Sequence, residues 1–323
     1  MKRKFGIELE ITGITRSTAL DALRAVGMDV QDEQYNHTTR QYWKLVQDSS
    51  VQGGFEVVSP VLEGDAGLEK AMTVAEALAD AGATVNRTCG FHVHFDASGL
   101  SVDAVKTIIK RYARYEAEID AVMPRSRRGN ENQFCRSIGS VLTRAFEAAS
   151  SIEELAYAQC GRYFKVNLHS YPRHGTIEFR QHSGTVNARK IASWVLFLND
   201  FIDACVAMTA ARQQPAPVAD NPSLRGVQAE LATMFARSGS VRLNAICERF
   251  GWQPHTARAA ITRLRRAGLR ISAVRRDGQT TYRLSDGLVQ APAQTQPESL
   301  WTGIRESVVT FYRHRAAVLA LAA

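Results

Sequence analysis

Apolar and polar residues trade places along "KFGIELEI" (residues 4–11), "QYWKLVQD" (41–48), "GFEVVSPV" (54–61), "TCGFHVHFD" (88–96), "FKVNLHSY" (164–171) and "GTIEFRQH" (175–182). Such a pattern predicts half-buried β-strands, because successive side chains of a strand point to opposite faces. Helical spacing lies between them, over 67–81, over 101–123 with Ser101 as N-cap, and over a strongly apolar run at 187–210. This mixture predicts an α+β domain over 1–212, with an antiparallel sheet that has helices on one face and a wet second face.

Beyond it, "RQQPAPVADNPS" reads as a linker, placed at 213–222. Residues 223–287 form a second module: a helix, the turn "FGWQPH", a helix over 255–267 and a hairpin turning at Asp277-Gly278. A Pro-rich stretch at 288–299 leads to a final helix over 300–323, whose face of Trp301, Ile304, Val308 and Phe311 needs a surface to dock on. No internal repeat is present.

Composition changes this picture only modestly. The 323 residues carry a formal charge of +8 and a pI near 9.4, which hints at a polyanionic partner. The cysteines are five, scattered and without CxxC spacing, which argues against a zinc ribbon or a disulfide framework. Carboxylates interrupt the N-terminal apolar stretch too early for a signal peptide. Asp200 and Asp203 mark the apolar helix as buried rather than membrane-spanning. The expectation is a cytoplasmic protein without a membrane partner.

Candidate chemistry emerges when the strands are sorted by face. Phe5, Ile7, Leu9 and Ile11 oppose Glu8 and Glu10; Phe91, Val93 and Phe95 oppose His92, His94 and Asp96. Glu56 opposes Phe55 and Val57; Lys165, Asn167 and His169 oppose Val166 and Leu168; Glu178, Arg180 and His182 oppose Ile177 and Phe179. A merely solvated face would be rich in Lys, Thr, Ser and Gln, whereas this one gathers carboxylates, imidazoles and an arginine. Glu8 and Glu10 stand roughly 6.5–7 Å apart along a strand, suitable for flanking divalent cations. The hard carboxylates and the lack of a cysteine among them favour magnesium over zinc. No phosphate-binding glycine loop occurs, so any phosphate must be handled by a cation and by arginine, with Arg180 the best placed.

Taken together, "FGIELEI", "WKLVQDSS…FEVVSPVL", "CGFHVHFD", "KVNLHSY" and "GTIEFRQHSGT" resemble the amidoligase family, which belongs with the glutamine synthetases and glutamate–cysteine ligases as carboxylate–amine ligases. The likeness runs from about Lys4 to Trp194. It implies a glutamine synthetase-like fold, a curved antiparallel sheet whose concave face binds ATP and Mg²⁺. By that resemblance Glu8, Glu10, Glu56, His92 and Glu178 are metal ligands. His94 approaches the nucleotide phosphates, Arg180 binds phosphate, and Asn167 and Arg162 are polar residues of the nucleotide site. "QDSS" departs from the family's usual Asp-Gly-Ser, which leaves Asp48 without a clear role.

The implied reaction forms an amide bond through an acyl phosphate, joining a small-molecule or peptide carboxylate to an amine. A nearby carboxylate or His169 would deprotonate the amine. The basic module looks like a winged helix-turn-helix, with Arg258, Arg263, Arg265 and Arg266 on its second helix able to reach phosphates or base edges of a nucleic acid. Two other readings stand beside the ligase. One is a nucleic-acid-binding regulator whose N-terminal domain senses a nucleotide or metabolite without turnover; the other is a metal-dependent hydrolase. Neither substrate nor oligomeric state is named by the sequence.

Overall fold

A computed structural model describes residues 1–213, 225–238, 240–276 and 279–284. Most of the first linker, the Asp277-Gly278 turn, the second linker and the C-terminal helix expected over 300–323 lie outside the described residues. The described chain divides into two compact units between Val206 and Ala207.

In the first unit, strands β1 (Lys4–Thr12), β2 (Val30–Asp32), β3 (Trp43–Val46), β4 (Gly54–Val58), β5 (Leu62–Glu63), β6 (Gly90–Asp96), β7 (Val166–Asn167) and β8 (Thr176–Ser183) form one sheet. Its order is β2-β3-β4-β1-β6-β8-β7, with β5 also on β1. The pairs are antiparallel except β2–β3, which is parallel, so the sheet is mixed where the sequence predicted an antiparallel one. Helices are α1 (Arg16–Ala25), α2 (Gly64–Asp80), α3 (Val102–Arg114), α4 (Glu116–Ala121), α5 (Arg144–Ala148), α6 (Ile152–Ala158), α7 (Tyr171–His174) and the greater part of α8 (Ala188–Gln213), which the boundary at Val206 divides.

The apolar face of the sheet is the core. Ile7, Leu9, Ile11, Phe91, Val93, Phe95, Ile177 and Phe179 are all buried. Phe179 meets Phe95 and α3's Tyr112, with ring centroids at 6.2 and 5.8 Å, and Tyr112 meets Phe201 of α8 at 5.8 Å. By length and composition α8 could cross a membrane. In this fold Ile191, Val195, Leu198, Phe201 and Ile202 are packed inside, as the sequence predicted for a core helix.

Three departures shape the site. The helix expected over 101–123 starts at its Ser101 cap, whose Oγ accepts from Ala104 N, but breaks at Tyr115. The break lets Glu116 turn inward to the ammonium of Lys165 at 2.7 Å and the Ile138 amide at 2.9 Å. Secondly, β7 is only two residues long. Lys165, expected on the polar face, is instead fully buried between Glu116 and Asp120, 2.6 Å from the latter.

Thirdly, β8 carries a bulge. Phe91 pairs with His182 while Val93 pairs with Phe179, so β8 has one residue more than β6 across that step. Arg180 keeps its place on the polar face. Gln181 turns inward, accepting from the Tyr112 hydroxyl at 2.5 Å, and His182 goes to the helix side rather than beside Glu178. There it packs against Phe91 and Trp194, with centroids at 5.4 Å to each.

The second unit places α9 (Val227–Ser238), β9 (Ser240–Arg242), α10 (Leu243–Phe250), α11 (Pro254–Arg266), β10 (Ile271–Arg276) and β11 (Gln279–Leu284) in that order. The strands form a sheet of order β10-β11-β9, antiparallel throughout. Leu231, Phe235, Val241, Ile246, Ile261, Leu264, Ile271 and Tyr282 make its core. Gly251 closes α10 at φ +64°, the left-handed conformation that glycine adopts without strain and that turns the chain toward α11.

Candidate active site

Strand register assembles the polar cluster. Across β1–β4 Glu10 lies opposite Glu56; across β1–β6 Glu8 lies opposite His92; across β6–β8 His94 lies opposite Glu178; and across β7–β8 Asn167 lies opposite Glu178. Residues that alternation alone assigns to one face are thereby brought side by side. The face is not an open solvated surface: Glu10, Glu56, His92, Asn167 and Glu178 are buried, and Glu8 and His94 half-buried.

His92 Nδ1 lies 3.1 Å from Glu8 Oε2 and 3.7 Å from Glu178 Oε1, and its Nε2 lies 3.7 Å from Glu10 Oε1. His94 Nε2 lies 3.3 Å from Glu8 Oε1 and 3.9 Å from Glu178 Oε1, while its Nδ1 meets Thr176 Oγ1 at 3.2 Å. Arg180 pairs with Glu178 through Nη1 and reaches the Phe134 carbonyl through Nε at 3.3 Å. Donor atoms converge in three overlapping groups, Glu8–Glu56–His92, Glu8–His94–Glu178 and Glu10–Asp48–Glu56, each within 4.8 Å. Asp48, left without a role by the sequence, thus joins the carboxylates.

Electrostatics record the crowding. Burial opposes ionisation of Glu8, but the imidazoles of His94 and His92 outweigh it and hold its carboxyl well below the usual range. Glu56 goes the other way: burial, then repulsion from Glu8, Glu10 and Asp48, pushes it well above. Burial disfavours the charged form of Glu178, yet Arg180 and His94 keep it low. A cation among Glu8, Glu10, Asp48 and Glu56 would relieve the repulsion that now raises Glu56. His94 Nε2 is moreover a buried nitrogen poised between two carboxylates, 3.3 Å from Glu8 Oε1 and 3.9 Å from Glu178 Oε1, without a well-aligned hydrogen bond to either. On both counts the residues fit a divalent cation held by hard oxygen donors and imidazole.

The cluster lines a cavity of about 460 Å³. Its walls include Glu8, Asp48, Glu56, His92, His94, Glu178 and Arg180, together with Asn167, Arg162 and His169. Glu10 stands just behind, accepting the Gly90 amide at 2.5 Å. Asn167 orients Glu178, donating to Oε2 at 2.5 Å while its own Oδ1 accepts from His169 N at 2.8 Å. Arg162 is exposed and donates to the Tyr163 hydroxyl at 3.2 Å. His169 Nε2 accepts the Gly161 amide at 3.1 Å, which occupies the lone pair a general base would use.

Sequence reasoning missed the opposite wall. Tyr35, Asn36, His37, Thr38, Thr39 and Lys44 line the cavity. The only signal for Lys44 was a charge set between Trp43 and Leu45 in a strand whose four residues are all buried.

On α11, Arg258, Arg263, Arg265 and Arg266 are exposed. Arg265 is the one tied down: its Nε donates to the Ile271 carbonyl at 2.8 Å, and its guanidinium lies 5.9 Å from the Tyr282 ring centroid.

The site is thus a sheet pocket of clustered carboxylates, two imidazoles and an arginine paired with Glu178. A family model described as "Putative amidoligase enzyme" matches residues 1–202, and a second, "Protein of unknown function", matches residues 225–284. The chain belongs to the amidoligase family, which sets its class as a carboxylate–amine ligase. No curated protein matches it. Among solved structures it is similar to a chain in the crystal structure of the complex between Prokaryotic Ubiquitin-like Protein Pup and its ligase PafA. That likeness has 10% identity, a TM-score of 0.17, and covers 99% of this chain and 94% of that chain; so low a score assigns no fold.

Proposed function

We propose that the first unit is an ATP- and Mg²⁺-dependent ligase with a glutamine synthetase-like sheet, forming an amide bond through an acyl phosphate. The observation that carries this reading is the convergence of Glu8, Glu56, His92, His94 and Glu178 on one cavity, with Arg180 beside them and Glu10 just behind. Glu8, Glu10, Glu56, His92 and Glu178 would hold the metal, with Asp48 a further donor. Bound there, magnesium would neutralise charge on a transferring phosphoryl group.

The chain's own residues do the rest. Arg180, held by Glu178 and the Phe134 carbonyl, presents a fixed guanidinium to phosphate oxygens. His94, set by Thr176, stands beside them, and Arg162 and Asn167 complete the nucleotide side. A substrate carboxylate attacks the γ-phosphorus of ATP; ADP leaves, and an amine then displaces phosphate from the acyl phosphate. A pocket carboxylate, rather than His169, takes the amine proton. Because His92 and His94 both belong to donor groups, their division of labour is part of the proposal.

The substrates are a small-molecule or peptide carboxylate and an amine, and the five free cysteines suit the cytoplasmic setting we propose. An ADP-release screen with Mg²⁺ across carboxylate and amine pools finds the pair. With a substrate ¹⁸O-labelled in its carboxylate, the label must appear in released phosphate; unlabelled phosphate, its new oxygen taken from water, identifies a hydrolase instead. Glu178→Gln should abolish turnover with the fold intact, and ADP formation retained in that variant sinks the assignment.

For the second unit we propose a winged helix-turn-helix role in nucleic-acid contact. Support comes from the order helix, strand, helix, helix, hairpin and from the exposed Arg258, Arg263 and Arg266. Binding of the full chain to a short DNA or RNA duplex, read by fluorescence anisotropy, should fall steeply with salt. Absence of binding at low salt removes the proposal.

A further inference from the structure

Lys44 is buried in β3, and among the described residues no carboxylate lies within ion-pairing distance of its ammonium. Its three N–H donors go instead to the Asn36 carbonyl at 3.1 Å, Asn36 Oδ1 at 2.9 Å and the Thr38 carbonyl at 2.9 Å. Three acceptors saturate an ammonium. Burying that charge is costly, and burial indeed lowers its pKa from the ordinary lysine value. A β-strand gains nothing from such a group. What the ammonium does gain is a grip on two backbone carbonyls, of Asn36 and Thr38, in the segment that walls the cavity.

The same segment is fastened at its other end. Glu33 accepts from Arg40 Nε at 2.9 Å and Nη2 at 3.1 Å, from the Tyr42 hydroxyl at 2.6 Å and from Asn36 Nδ2 at 2.6 Å. Asn36 is therefore held from both sides, donating to Glu33 and accepting from Lys44, and its Oδ1 also takes the Thr38 amide at 3.0 Å. The result is an irregular wall of Tyr35 to Thr39 fixed over the carboxylates without any secondary structure of its own.

We propose that Lys44 is a positioning residue: it holds wall 35–39 in its substrate-receiving shape, and that wall sets the affinity for the organic substrate. The part concerning affinity rests on the ligase reading; the part concerning the wall does not. Lys44→Met keeps the length and apolar stem of the side chain and removes the three donors.

Two measurements on the full-length protein test it. In hydrogen–deuterium exchange, Lys44→Met should speed exchange of the Thr38 amide and its neighbours at least tenfold while β1 and β6 keep their protection. Asn36→Ala should do the same, and the double variant should be no worse than the worse single one, because both act through one clamp. Unchanged exchange at 36–39, or a uniform rise throughout the unit, overturns the proposal. In ADP release with the carboxylate–amine pair from the screen, Lys44→Met should raise KM for that pair about tenfold or more, with the loss falling mainly in KM. A fall confined to kcat would make Lys44 a group acting on the reacting atoms and would refute the positioning role. If no pair supports ADP release, the ligase reading fails, while the exchange experiment still decides whether Lys44 holds the wall.

Discussion

Replacing Lys165 by methionine should be among the most damaging single changes in the first unit, although Lys165 does not line the cavity. Its ammonium is fully buried and bonded to Glu116 at 2.7 Å and Asp120 at 2.6 Å. Each carboxylate also accepts a backbone amide, Ile138 N on Glu116 at 2.9 Å and Gly129 N on Asp120 at 2.7 Å, and so stays in place when the lysine goes. Two charge-assisted bonds at roughly 1.5–3 kcal/mol each give about 3–6 kcal/mol. Breaking a buried ion pair on one side costs roughly 3–5 kcal/mol, which agrees. At about 2–4 °C per kcal/mol for a unit of this size, Tm should fall by roughly 6–20 °C. Urea unfolding followed by tryptophan fluorescence reads the same loss. Adding Glu116→Gln and Asp120→Asn should restore part of the loss. A Lys165→Met protein within about 1 kcal/mol of the parent would refute the reasoning, since solvent would then have to reach the carboxylates.

Three further outcomes follow from the geometry. Burial against Phe91 and Trp194 depresses His182 from 6.5 to about 4; the folded state keeps it neutral, so its contribution is whole above pH 6.5 and is lost as pH falls from there to about 4. That window is worth roughly 3 kcal/mol, and His182→Phe should flatten it in a pH series of urea midpoints. A Cβ at Gly90 would stand 2.6 Å from His92 Nε2 and 3.1 Å from Arg127 Nη2, so Gly90→Ala should displace the His92 ring and weaken Mn²⁺ binding, read by electron paramagnetic resonance, at least tenfold; unchanged affinity would separate His92 from the metal. Glu33, lowered from 4.5 to about 2 by its bonds to Arg40 and Tyr42, should lend the 33–42 segment a stability present above pH 4.5 and lost as pH falls toward 2. Hydrogen exchange at the Thr38 amide across that range checks it, and Glu33→Gln should remove the dependence.

The strands that carry chemistry were legible because they obey the two-residue period: ExE, HxH and ExR each place their members on one face. Their mutual register was not legible, since Glu10 facing Glu56 depends on which strand β1 chooses as neighbour and where pairing starts. Nothing in "FRQHS" marks an extra residue, so His182 was placed on the wrong side. Lys165 was misplaced for a related reason: two residues of ladder are too few to impose alternation. The wall at 35–39 escaped because its shape comes from side chains bonded to backbone carbonyls, which leave no period behind.

The bulge in β8 makes one strand answer to two masters. Arg180 belongs to the cavity, while Gln181 and His182, its immediate successors, are seated among Tyr112, Asp120 and Trp194. Their positions along the chain are counted, not adjustable: deleting a single residue there would carry Gln181 onto the polar face and pull Arg180 off Glu178. Substitutions in the helix layer should therefore surface as changes in where Arg180 stands in the cavity, and selection on the site should reach residues that do not line it. In this fold the distinction between a scaffold and its working face has a width of one residue.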